Sequence, residues 1–137
     1  MILESAQMLC TVLNKMGYTT PYRSTHAKHP CVLWLAESYD NFRWLEALAS
    51  ELNREFRIRY GRARDHASFD VIRQLKSYRY AANGMTPFAQ AMPNHYKVPG
   101  DAVAAYRAFY IGEKLDFATW TNRAEPKWIK QEKLQAP

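Results

Sequence analysis

Residues Pro30–Tyr60 read PCVLWLAESYDNFRWLEALASELNREFRIRY, and the fold turns on this stretch. Apolar side chains recur at Leu35, Tyr39, Phe42, Leu45, Ala49, Leu52 and Phe56, in steps of three and four that share one helical face. Glu37, Asp40, Arg43, Glu46, Glu51 and Arg54 fall mostly off that stripe. Pro30 suits a first turn, where its missing N–H had no intrahelical partner, and Gly61 suits a left-handed stop. The spacing predicts one long central helix over about 30–60. A stripe of that length has to be buried by other segments.

Those segments flank it on both sides. ILESAQMLCTVLNKM carries a seam of Ile2, Ala6, Leu9, Leu13 and Met16, ended by Gly17. It begins without a Ser, Thr, Asp or Asn cap, as a frayed first turn would, or as a chain that starts inside a once longer element. Residues 18–29 are polar and aperiodic, hence a loop. A short helix is expected around Phe69–Ser77 with Ser68 as its cap. Pro87, Pro93 and Pro99 make 83–100 a long loop, packed down by Met85, Phe88, Met92, Tyr96 and Val98. Asp101 then caps a helix with Val103, Tyr106, Tyr110 and Lys114 on one face, weakened at Gly112. Trp120 and Trp128 flank Pro126 in the tail, and 130–137 are expected to fray. The expected fold is all-α: residues 1–137 as one compact single-domain bundle of four to five helices around the long central one.

A chain of 137 residues buries a core without staples, so Cys10 and Cys31 read as reduced thiols of an intracellular protein. No signal peptide and no membrane-length apolar run are visible, and the expected location is the cytoplasm. The net charge is +6, and most of it is local. Arg54, Arg57, Arg59, Arg62, Arg64, Arg73, Lys76 and Arg79 face only Glu55, Asp65 and Asp70 between Arg54 and Tyr80. Every cation from Arg43 to Arg73 is arginine, the side chain whose planar fork matches phosphate.

Basic residues also alternate with aromatics: Arg57, Arg59, Tyr60 and Arg62, then Tyr78, Arg79 and Tyr80, then Tyr106, Arg107, Tyr110 and Lys114. Phosphates attract the cations, and unpaired bases stack on flat rings. The expected nucleic-acid contacts are Arg54, Arg57, Arg59, Arg62, Arg64, His29, Tyr106, Arg107, Tyr110, Lys114, Trp120 and Trp128. Arg57 and Arg59 are expected to serve binding without holding the fold. Cys10, His26, His29 and Cys31 could supply zinc ligands, but His-x-x-His-x-Cys does not match finger spacing. Neither metal nor cofactor is expected.

The words MILESAQMLCTVL, HPCVLWLAESYDNFRWL, MTPFAQAMPNHYKVPGD, AYRAFYIGEKLDFATW and PKWI resemble a group of small, largely uncharacterised phage-encoded proteins. Those usually start upstream, with an Asp-Lys-His stretch leading into the Glu-containing helix. More distantly, the order of features is similar to the pyrimidine-dimer DNA glycosylases of endonuclease V type. That resemblance implies a helical enzyme acting on duplex DNA with a flipped nucleotide, through a terminal amine that forms a Schiff base with glutamate assistance. Glu4 matches the glutamate and would be catalytic. Trp120, Pro126, Lys127 and Trp128 match the family's terminal aromatic segment, whereas Leu3 and Gln7 replace its basic residues. The implied function is a phage DNA-binding protein with DNA glycosylase/AP-lyase-like activity. The alternative is a non-catalytic nucleic-acid-binding or host-interaction protein.

Overall fold

The helix predicted over 30–60 is two helices, α2 (Pro30–Glu37) and α3 (Tyr39–Tyr60), in the computed structural model, which describes residues 1–135. Ser38 separates them. Its backbone is extended (φ −161°, ψ 141°), and its hydroxyl caps α3 by accepting from the Asp40 N–H at 3.2 Å. The apolar period passes through the break because Leu35 and Tyr39, four apart, both reach the core. A returning segment fills the gap: the Tyr39 N–H donates to the Ala81 carbonyl, the Asn83 N–H to the Ser38 hydroxyl and the Gly84 N–H to the Asp40 carboxylate. Fully buried Asn41 joins the pieces. Its amide nitrogen donates to the Trp34 carbonyl (2.7 Å) and the Thr86 hydroxyl (2.9 Å), and its oxygen accepts from the Thr86 N–H at 3.1 Å. Backbone groups opened by an internal break thus find protein partners, as buried polar groups must.

The other helices are α1 (Ile2–Lys15), α4 (Ala67–Arg73), α5 (Ala102–Glu113) and α6 (Lys127–Gln135), with 3₁₀ turns at Asn94–Tyr96 and Leu115–Phe117. The all-α expectation holds, with six α-helices rather than four or five and no strand among the described residues. Ala6, Leu9 and Leu13 of α1 meet Leu35, Phe42 and Ala49, and Ile72 and Leu75 close the core from the α4 side. The α1 start carries no side-chain cap, as read from the sequence. None of the helices described is long and apolar enough to cross a membrane.

Three local expectations need correction. His66, not Ser68, caps α4: its Nδ1 accepts from the Ser68 N–H at 3.0 Å, while Ser68 is buried with its hydroxyl 3.2 Å from that of Tyr22. The tail is helical to Gln135 instead of fraying from 130, because Ile129 is fully buried and Trp128 meets Tyr110 edge-on at 5.8 Å; Ala136 and Pro137 lie outside the described residues. In the long loop, Phe88 packs between Trp34 and Trp44, but Met85 and Val98 stay exposed. Gly112 has a packing reason: a Cβ there would lie 2.2 Å from the Tyr96 hydroxyl, which donates to Glu113 at 2.9 Å.

Asn41→Ala removes three hydrogen bonds made by a fully buried side chain, including the one that satisfies the Trp34 carbonyl. Urea unfolding should show a loss of about 2–4 kcal/mol. A loss below about 0.5 kcal/mol would mean that the loop does not hold the α2–α3 break.

Candidate nucleic-acid interface

Gly61, in the left-handed region at φ 57°, ends α3, and the Arg62 N–H donates back to the Arg57 carbonyl at 3.0 Å. The chain then turns into α4 around one side chain. Asn53, 5% exposed, donates to Asp65 at 2.9 Å and accepts from the His66 N–H at 2.9 Å. Asp65 in turn holds Arg57 (3.4 Å) and Arg73. The Asn53 hydrogen bond, then the Arg73 and Arg57 charges, hold the Asp65 carboxyl below the usual carboxylate range.

The arginine run divides into two groups. Arg57 also donates to the Ala63 carbonyl at 3.0 Å, so it closes the α3–α4 turn. Arg59 pairs with Glu55 at 3.1 Å and donates to the Thr119 carbonyl at 3.3 Å, while Arg123 takes the other Glu55 oxygen at 2.7 Å. Asn122, at φ 58°, gives its amide to the Arg59 carbonyl at 3.0 Å and so helps satisfy the open end of α3. Arg57 and Arg59 are thus engaged within the chain, at the α3–α4 turn and at the Thr119–Arg123 segment. Arg54 is exposed with Glu51 at 3.7 Å, and Arg62 and Arg64 are exposed with no carboxylate within 4 Å among the described residues.

A second cationic surface emerges where α4 runs back along α3, from His66 beside Asn53 to Arg79 over Tyr39. Between them lies an open groove of about 570 Å³, lined by Tyr39, Arg43, Glu46, Ala47 and Ser50 of α3 and by Phe69, Ile72, Arg73, Lys76 and Arg79. Arg73 lies over the Phe69 ring at 4.9 Å and pairs with Asp70 at 3.3 Å. Arg79 lies over Tyr39 at 5.4 Å and donates to the Lys76 and Tyr78 carbonyls. Lys76 is exposed and has no carboxylate within 4 Å among the described residues. Glu46 is mostly buried (19% exposed) and lies 3.4 Å from Arg43. Burial pushes its carboxyl above the usual range, against the pull of Arg43, Arg79 and Lys76. Arg43, Lys76 and Arg79 belong to the basic cluster of the sequence but, like Glu46, not to the expected nucleic-acid contacts, although Tyr39, Arg43, Ala47 and Ser50 repeat at helical spacing and Arg73, Lys76 and Arg79 recur every third residue.

The remaining sequence candidates do not line this groove. The Tyr106 hydroxyl donates to the Ala89 carbonyl at 2.7 Å and accepts from the Ala91 N–H, and burial raises its pKa. Arg107 covers Trp128 at 5.0 Å, beside Tyr110, in a separate hollow of about 500 Å³ between α5 and α6. Lys114 lies over Phe109 and Phe117, and Lys133 over Trp120. His29 caps α2, its Nδ1 accepting from the Cys31 N–H at 3.0 Å. Glu4 is exposed, lines neither hollow and lies 2.7 Å from the Met1 α-amine, the main cause of its lowered carboxyl pKa. Cys10 is buried in the core, and the described residues contain no His/Cys/Asp/Glu group of three or more able to hold a metal. No family model, curated protein or solved structure matches the chain.

A carboxyl depressed by folding adds stability above its unfolded pKa, and that stability is lost as pH falls through the folded value. The urea midpoint should therefore drop from about pH 4 downward, and Asp65→Asn should flatten that part of the profile. An unchanged acid slope in the variant would remove Asp65 from the account of the corner.

Proposed function

We propose that this protein binds nucleic acid through its phosphate backbone, along the α3–α4 groove and onward to Arg54, Arg62 and Arg64. The observation that carries the reading is the groove itself, with cations on both walls, Arg79 held over the Tyr39 ring and Lys76 free of any carboxylate within 4 Å among the described residues. From Arg43 to Arg54 the α3 wall spans about 16 Å at helical rise. That matches about five nucleotides at roughly 3.4 Å of axis per strand. Apart from Ser50 and Glu46, the polar groups lining the groove are cations and the Tyr39 hydroxyl, so the contacts favour backbone over base readout. Because rings such as Trp128, Trp120 and Phe69 are already covered by the chain's own cations, base stacking is a smaller part of this reading than the sequence suggested.

A second reading adds chemistry at Glu4, the position that the resemblance to the pyrimidine-dimer DNA glycosylases matches to their glutamate, exposed on the first turn of α1. Borohydride trapping on an abasic duplex decides this reading: a covalent adduct lost in Glu4→Gln supports it, and absence of an adduct leaves binding alone.

Lys76→Glu combined with Arg62→Glu and Arg64→Glu changes exposed cations that hold no carboxylate. Oligonucleotide affinity near 50 mM salt should fall by about tenfold or more, and the salt slope should drop by roughly one per lost phosphate contact. The melting temperature should stay within a few degrees. Unchanged affinity and salt slope in a folded variant would contradict the proposed interface.

A further inference from the structure

We propose that Glu46 is a specificity-determining residue of the α3–α4 groove, an internal counter-ion that admits chains of phosphates and excludes single anions. This inference rests on the nucleic-acid reading and says how the same site selects its ligand.

Glu46 sits on the groove wall, mostly out of water, with Arg43 as its ion-pair partner at 3.4 Å. The groups facing it are Tyr39 and Arg43 from α3, and Lys76, Arg79 and Tyr80 from the segment after α4; no histidine lines the groove. A lone phosphate entering here is repelled by the carboxylate and competes with it for Arg43. A chain of phosphates reaches Lys76, Arg79 and Arg43 together, so the cost of meeting Glu46 is spread over several attractive contacts. The carboxylate therefore sets a minimum ligand charge. Protonating it removes that barrier, which makes binding proton-linked. Burial of this carboxyl raises its pKa and so moves the linkage upward from the ordinary carboxylate range.

The test uses a fluorescent thymidine 12-mer and inorganic phosphate as competitor, with wild type and Glu46→Gln from pH 5 to 8. Wild-type affinity for the 12-mer should rise as pH falls, and millimolar phosphate should compete poorly at pH 7.5. Glu46→Gln should bind the 12-mer about tenfold more tightly at pH 7.5, lose most of the pH dependence, and become sensitive to phosphate. The variant should fold at least as stably near neutral pH, because it replaces a buried charge with a neutral isostere. If it does not fold, the wild-type profile decides, and a flat affinity from pH 5 to 8 overturns the inference. Salt-sensitive binding with indistinguishable wild type and Glu46→Gln overturns the role of Glu46 alone. Failure of wild type to bind the 12-mer at any pH overturns both this role and the nucleic-acid reading.

Discussion

The buried amide of Asn53 is the constraint on which the cationic surface depends. It is the one side chain that both donates to Asp65 and accepts from the His66 N–H, and it thereby fixes the turn that sends α4 back along α3. A hydrogen bond of this kind contributes only about 1 kcal/mol net, but leaving its partners buried and unpaired costs more. Asp65 then gathers Arg57 and Arg73, so two like charges that would repel are held by one carboxylate. With α4 in place, Arg73, Lys76 and Arg79 face Arg43 across a shared groove. Local polar geometry at this corner and burial of Ile72 and Leu75 together decide where the charge of this protein is presented.

Helical content was legible because apolar period survives almost any arrangement of helices. Ala6, Leu9 and Leu13, then Phe42, Leu45 and Ala49, read as buried and are buried. The break at Ser38 was not legible from period alone, since residues 35 and 39 keep phase across it. A local signal was present: a serine followed two residues later by an aspartate is the signature of a capped helix start. What makes the break stable comes from Asn83, Gly84 and Thr86, more than forty residues away, and no local pattern carries that. Buried Ile129 likewise orders a tail whose composition reads as solvated.

The same distinction governs the candidate site. A count of arginines locates positive charge but does not say which guanidinium groups are already engaged. Arg57 and Arg59 close turns and tie the segment at Thr119–Arg123 to α3, whereas Arg62, Arg64 and Lys76 remain open to solvent. The paired aromatic and basic residues of α5 and α6 were read as stacking platforms for bases, but Arg107 already occupies Trp128. Glu46 went unread because a glutamate on a charged helical face looks solvated; only the arrival of α4 and its following turn buries it.

The most direct measurement is a set of backbone amide chemical-shift changes on titrating a short single-stranded oligonucleotide at low salt. The account predicts shifts concentrated at Tyr39–Ser50 and Phe69–Arg79, with a weaker set at Arg62 and Arg64, all reversed by added salt. Shifts confined to Arg107–Trp128, or no shifts at millimolar oligonucleotide, would contradict it.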